Sequence, residues 1–333
     1  MRTEVIKIVD PKQESELVKY AANKLKRGQI VAFPTETVYG LGADLFNDTA
    51  IKKIYRAKNR PSDNPLIVHI SDLTQLKIVV DKIPKSAKKL MEKFWPGPLS
   101  IVFNRHPDLD SSALTGLDTV VVRMPDHAVA RALITHLGSP IVAPSANTSG
   151  KVSPTRAEHV LEDMDGQIPL ILDGGPIEYG LESTVIDCTQ KQPVILRPGS
   201  ITLEMIQELL PNVRNVEAGD KAVSPGMKYR HYATEAPIIL YRGSTKDTAA
   251  ALIKHTNDHK TAILYHTAKL TESDLIIRLP ANPFEAGPEI FNLLRTIDRQ
   301  SVDKIVIQGY SYEDMGHAIM NRLEKAASDI FDV

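Results

Sequence analysis

Several short stretches of this 333-residue chain concentrate side chains able to bind an anionic small molecule. The densest is Phe33-Pro34-Thr35-Glu36-Thr37-Val38-Tyr39-Gly40-Leu41-Gly42, with two threonine hydroxyls, a carboxylate and two glycines between an apolar run and the next helical pattern. Glycine admits positive φ and close backbone approach to a ligand. The same residues would also serve a tight strand-to-helix connection. A second stretch, Arg56-Ala57-Lys58-Asn59-Arg60-Pro61-Ser62-Asp63-Asn64-Pro65, leads on to His69. Three cations in five positions suit the negative end of a helix, and Pro61 and Pro65 hold the following chain extended. In Ala143-Pro144-Ser145-Ala146-Asn147-Thr148-Ser149-Gly150, small hydroxyls and an amide follow an apolar run, as in a backbone nest for phosphate or in a polar turn. Thr119 and Arg123 share one side of a strand by the two-residue period. An arginine there is costly to bury unpaired, so a carboxylate or a ligand is expected beside it. Glu182-Ser183-Thr184 and Leu196-Arg197-Pro198-Gly199 again set polar groups at strand ends, a recurrence that turn chemistry does not explain well.

Other chemistries are excluded by composition and motif. There is no Gly-x4-Gly-Lys-[Ser/Thr], no Gly-x-Gly-x-x-Gly and no His-Glu-x-x-His. Forty basic residues against forty-one acidic ones give a net charge of −1, which does not suit a polyelectrolyte coat for nucleic acid. Cys188 is the single cysteine, so neither an intramolecular disulfide nor a cysteine-based zinc site can form. No run of about 18 apolar residues occurs and the first residues lack an apolar signal core. A reduced, cytoplasmic, membrane-free setting is the expectation.

The elements that would position these groups follow from periodicity. Strands are predicted at Ile30–Phe33, Leu66–Ile70, Leu99–Phe103, Thr119–Arg123, Pro140–Ala143, Leu170–Leu172, Ser183–Asp187 and Val194–Leu196. Helices are predicted at Glu14–Lys26, Thr49–Ala57, Lys85–Phe94, Ala128–Leu137 and Arg156–Asp163, with Thr202 capping a further one. So many strands with only some helical connections imply a mixed twisted sheet in an α/β fold. The pattern lapses over 213–236, where Ser224-Pro225-Gly226-Met227-Lys228-Tyr229-Arg230-His231-Tyr232 is too basic and aromatic for an inert spacer. Beyond it, strands at Pro237–Tyr241, Thr261–Tyr265, Leu275–Leu279 and Lys304–Gln308 alternate with helices at Lys246–Thr256, Pro288–Thr296 and Met315–Ser328. That is the pattern of a small doubly wound, Rossmann-like α/β domain. The expected domains are 1–212, a linker or lid over 213–236, and 237–333.

Taken together, Phe33–Gly42, the Lys-x-Arg pair Lys58/Arg60, the Ser-x-Asn pair Ser145/Asn147 and the Ser224–Tyr232 linker resemble the threonylcarbamoyl-AMP synthases of the YrdC-like family in their two-domain form. The resemblance covers nearly the whole chain, departing at Asn59, Ser62 and Thr234. It implies a YrdC-like fold for the first domain and formation of threonylcarbamoyl-adenylate and pyrophosphate from L-threonine, bicarbonate and ATP. The product would feed proteins that place threonylcarbamoyl on a tRNA adenosine, with at most weak tRNA contact by this chain. Carried over by motif, Thr35, His69, Arg123, Ala143 and Ser183 would hold threonine. Lys58, Ser62, Thr119, Ser145, Ser153, Arg197 and Tyr232 would surround ATP, with Arg60 and Asn147 completing the catalytic pairs beside Lys58 and Ser145. Mg²⁺ is expected on the phosphates, without a protein-built metal site and without a redox cofactor. Lys58 is expected at an exposed cleft position, so that Lys58→Ala would lose turnover without unfolding. A hydrogenase-maturation relative, which needs zinc fingers, is disfavoured by the lone Cys188. A non-catalytic RNA-binding module is disfavoured by the net charge.

Overall fold

A computed structural model of the chain describes residues 2–217 and 232–333. The sticky linker stretch lies outside the described residues except for Tyr232. The described chain divides into two compact units, one of residues 2–149 and 153–217, the other of residues 150–152 and 232–333.

In chain order the first unit's strands begin with β1 (Glu4–Lys7), β2 (Val31–Phe33), β3 (Gly40–Asp44), β4 (Val68–His69), β5 (Leu99–Asn104) and β6 (Thr119–Arg123). They continue with β7 (Ile141–Val142), β8 (Leu170–Asp173), β9 (Thr184–Asp187), β10 (Val194–Arg197) and β11 (Arg214–Asn215). Among the described residues they form one mixed sheet in the order β1-β8-β2-β3-β7-β4-β6-β5-β9-β10-β11. The mixed α/β class expected from sequence is the one observed.

Side chains alternate across this sheet with the period of two. Ala32, Val68, Ile101, Val122 and Val142 enter the larger core on one face, under the helices Asp48–Lys58, Lys85–Phe94 and Ala157–Met164. On the other face Val31, Phe33 and Ile141 pack with Val18, Leu25, Val129 and Leu133 of the helices Ser15–Lys26 and Ala128–Leu137. Further along that second face lies a smaller apolar cluster of Ile67, Val102, Val121, Val185 and Leu196. His69 follows Ile67 by two residues, Ser100 precedes Val102 and Arg123 follows Val121. The polar groups therefore continue this face, between the two apolar clusters.

Two sequence expectations change here. Gly40-Leu41-Gly42 does not lead to a helix as a loop; it forms β3, which runs back antiparallel to β2 with Phe33 opposite Gly40 and Val31 opposite Gly42. A Cβ on Gly42 would sit 2.8 Å from both Ile141 Cγ2 and Phe33 Cε1. The glycine is thus required by close strand packing, not by positive φ. The short edge strands β1 and β11 were not anticipated, because two to four residues carry too little pattern to read.

The second unit is a fully parallel sheet of β12 (Ile238–Arg242), β13 (Thr261–Tyr265), β14 (Ile276–Arg278), β15 (Lys304–Gln308) and β16 (Asp329–Asp332), ordered β14-β13-β15-β12-β16 among the described residues. Its long helix begins at Pro283, capped by Asn282 Oδ1 accepting from Phe284 N at 3.0 Å, and carries Pro288 inside it. Sequence reading started that helix at Pro288, which instead lies inside it. Cys188, just past β9, is buried, and burial pushes its thiol up to about 12.

Trp95, the chain's single tryptophan, packs against the larger core of the first unit and reports that unit alone. Gly42→Ala should lower the urea midpoint followed by Trp95 fluorescence, corresponding to about 1–3 kcal/mol of overpacking strain. An unchanged midpoint would show that Phe33 and Ile141 can yield without cost.

Candidate active site

The centre of the site is Arg123, at the end of β6, with side-chain exposure of 4%. Its backbone neighbours are His69 on parallel β4 and Ser100 on antiparallel β5. Its guanidinium meets Glu36 Oε2 at 2.7 Å, donates from Nη1 to Thr37 Oγ1 at 2.7 Å, and donates from Nε to Gly97 O at 3.3 Å. The carboxylate expected beside Arg123 is therefore Glu36, from the turn between β2 and β3. Both partners are buried, so the pair has little water to screen it. Glu36 Oε1 takes no hydrogen bond among the described residues.

That turn is fixed by the Thr35 hydroxyl. Thr35 Oγ1 donates to Val38 O at 2.6 Å and accepts from the Thr37 and Val38 amides at 3.2 Å each, while lying 2.9 Å from Thr37 Oγ1. One hydroxyl thus organises four consecutive residues, and Thr37 passes the order on to Arg123.

His69 is buried against the edge of Phe33, with ring centroids 6.2 Å apart. Its Nδ1 lies 3.1 Å from Ile67 O. A carbonyl can only accept, so Nδ1 carries the proton and Nε2 is left as the acceptor. Burial, reinforced by the charge of Arg123, pushes the imidazole pKa down to about 3. Ala143, on the same side as Ile141 opposite His69, is also buried.

A second polar chain joins β5, β9 and β10. Ser100 Oγ and Ser183 Oγ are 2.8 Å apart. Arg197 donates to Ser183 O from Nε at 3.0 Å and from Nη2 at 2.8 Å, and Nη2 also reaches Ser183 Oγ at 3.1 Å. Ser153 Oγ donates to Glu182 Oε1 at 2.6 Å. Thr119 lies half-buried at the far end of β6, on the face of Arg123, about 13 Å along the strand.

Lys58 is not at an exposed position, contrary to the sequence expectation; it is 1% exposed. The helix Asp48–Lys58 starts at the Asn47 cap and ends at Asn59 in the left-handed conformation, φ 51°, which asparagine tolerates. Lys58 is the last helical residue, and its ammonium donates to Ser145 O at 2.6 Å and to Asn147 O. The same loop is stitched to the motif by Ala146 N donating to Tyr39 O at 2.8 Å and to the helix end by Ser149 N donating to Lys58 O at 2.8 Å. Lys58, Ser145 and Asn147 therefore form one cluster. Arg60 closes the next turn instead, donating to Asn64 O at 3.3 Å and Pro65 O at 3.1 Å, with Ser62 exposed on that turn. Tyr232 belongs to the second unit, where it is buried and stacked on Phe291 at 5.3 Å. Glu36, Ser100 and Glu182 are the residues that sequence reading did not assign; a polar Ser100 amid Leu99, Ile101 and Val102 was the available signal.

Comparison with known proteins agrees on one family. Residues 23–199 match the Sua5, YciO and YrdC family model, described as telomere recombination, and residues 201–328 match the model of the threonylcarbamoyl-AMP synthase C-terminal domain. Threonylcarbamoyl-AMP synthases of Bacillus subtilis and Pyrococcus abyssi are 45% and 42% identical, each over 93% of this chain and over 92% and 94% of their own lengths. The crystal structure of P. abyssi Sua5 complexed with L-threonine superposes with a TM-score of 0.92 at 41% identity, covering 99% of this chain and all of that one.

Two outcomes test the geometry. Lys58→Ala should lose stability as well as turnover, because two carbonyls lose their ammonium; the fall should be about 1–3 kcal/mol in Trp95-detected unfolding. An unchanged unfolding midpoint would contradict the buried placement. For His69, the folded pKa of about 3 lies below the ordinary 6.5, so only the unfolded chain binds the proton between those values. Stability is therefore lost as pH falls through that window, by up to about 1.4 kcal/mol per pH unit. His69→Asn should flatten the stability–pH curve by that amount between pH 4 and 6, and an identical slope would refute the assignment.

Proposed function

Because this chain belongs to the Sua5, YciO and YrdC family and carries the threonylcarbamoyl-AMP synthase C-terminal domain, we propose that it makes threonylcarbamoyl-AMP and pyrophosphate from L-threonine, bicarbonate and ATP. The observation that carries this reading is the buried Arg123 guanidinium beside the neutral His69 imidazole, on facing positions of adjacent strands. A guanidinium offers five N–H donors in a plane. Those not spent on Glu36, Thr37 and Gly97 suit an amino-acid carboxylate. The bare Nε2 of His69 and the unpartnered Glu36 Oε1 suit the N–H and O–H donors of the same substrate. Thr35, Ala143 and Ser183 complete the proposed threonine pocket.

In the reaction the threonine amine attacks the bicarbonate carbon, losing water to give a carbamate. A carbamate oxygen then attacks the α-phosphorus of ATP and the bond to the β-phosphate breaks, which makes the chemistry a nucleotidyl transfer. Lys58, Arg60 and Arg197 place positive charge where phosphate charge builds, the usual source of the largest rate effect in such sites. Lys58 does this while holding the Ser145–Asn147 loop, so its charge is preorganised. Ser62, Thr119, Ser145, Asn147 and Ser153 would line the nucleotide. The pocket proposed here is built from the first unit alone and leaves Tyr232 aside.

Among the described residues no group of three or more His, Cys, Asp or Glu side chains converges on a metal position. Mg²⁺ carried on the ATP phosphates would neutralise part of their charge. No helix of the described chain is long and apolar enough to cross a membrane. The labile product would be consumed by proteins that transfer threonylcarbamoyl to tRNA.

Pyrophosphate release should require threonine, bicarbonate and ATP together, each omission reducing it to background. Release that persists without threonine or without bicarbonate would overturn this reading.

A further inference from the structure

Arg123 is held at three nitrogens, and the three holds differ in kind. Nε donates to Gly97 O at 3.3 Å, a long bond. Nη2 lies 2.7 Å from Glu36 Oε2, yet among the described residues neither that nitrogen nor either Glu36 oxygen makes a hydrogen bond. Opposite charges attract from any direction, so this contact answers the charge without fixing the plane of the guanidinium. Nη1 donates to Thr37 Oγ1 at 2.7 Å. Among the described residues that is the one short, directed bond on the head group.

Thr37 is itself held in a single state. Thr35 Oγ1 gives its only proton to Val38 O at 2.6 Å, because a carbonyl can only accept. The Thr35 and Thr37 hydroxyl oxygens are 2.9 Å apart, so the proton between them comes from Thr37. The lone pairs of Thr37 are then left for Arg123. Donation therefore runs one way, from Arg123 to Thr37, from Thr37 to Thr35, and from Thr35 to the Val38 carbonyl. A hydroxyl locked in this manner presents its acceptor side in a fixed direction. Thr37 is fully buried, which keeps bulk water from competing for that oxygen. A space-filling residue here would be valine, which has the shape of threonine without the hydroxyl.

We propose that Thr37 is a positioning residue for the amino-acid substrate: its hydroxyl sets the plane of the Arg123 guanidinium, so that the Nη2 donors without a hydrogen bond are aimed at the substrate carboxylate. This rests on the carboxylate-binding role given above to Arg123. A planar fork recognises a carboxylate through two parallel bonds, and turning the fork loses them together. The Thr37 hydroxyl bonds to none of the residues proposed for ATP, so its removal weakens one substrate and spares the other.

The test is steady-state pyrophosphate release by the full chain, with threonine and ATP varied separately. Thr37→Val should raise KM for threonine about tenfold, with KM for ATP and kcat within about twofold of the parent. Thr37→Ser, which keeps the hydroxyl, should hold KM for threonine within about twofold of the parent. An unchanged KM for threonine in folded Thr37→Val would overturn the proposal, as would a Thr37→Ser variant impaired as much as Thr37→Val. A KM for ATP that rises with that for threonine would overturn it too. If Thr37→Val does not fold, Thr37→Ala is read by the same criteria. Failure of both to fold would make the hydroxyl a folding requirement and equally overturn the positioning role. Failure of the parent protein to need threonine and bicarbonate would refute the proposed function instead. A parent that needs both beside a variant with normal threonine dependence would refute the positioning role alone.

Discussion

A buried guanidinium must be answered from several directions at once, and the first unit is arranged around that requirement. Arg123 sits at the end of a central strand, where water cannot solvate it. Its charge is met by Glu36 and its other donors by Thr37 and Gly97. Leaving either ion unpartnered would cost about 3–5 kcal/mol, a large part of a typical domain's stability. The turn between β2 and β3 is therefore bound to the strand it serves. The Thr35 hydroxyl, which keeps that turn in shape, is as much a part of the charge arrangement as the ions themselves.

The same economy recurs with Lys58. An ammonium that could have faced solvent is used as a backbone tie, holding the carbonyls of Ser145 and Asn147 beneath the loop that follows β7. Positive charge and loop shape become a single property. In the proposed reaction a substrate phosphate would meet groups already in place there, with no solvent shell to rearrange. Neutral His69 serves in the opposite sense, since burial, reinforced by the field of Arg123, keeps a second cation from forming beside it.

Much of this was legible in the sequence, and the boundary has physical causes. The central strands and the long helices carried enough apolar periodicity to be placed, and Arg123 in Thr119–Arg123 announced its need for a partner. The partner's identity was not readable, because Glu36 is 87 residues away and meets Arg123 only through the sheet order. For Gly42, ligand approach and a tight connection were both open in the sequence and close strand packing was not foreseen, since a Cβ excluded by Phe33 and Ile141 looks the same in sequence as one excluded by a ligand. Lys58 was expected at an exposed cleft position and is buried instead. The carbonyls that bury it belong to a loop almost ninety residues later. Long-range pairings of this kind leave no local pattern.

The lone thiol has a practical meaning. Cys188 is shielded by the first unit's core, and its proton is held far above neutral pH, so the nucleophilic thiolate is scarce under ordinary conditions. The natural chain is thus chemically quiet toward maleimides and iodoacetamides. A cysteine introduced at a surface position would be the one reactive handle, and a dye or spin label could be attached without first removing the native residue.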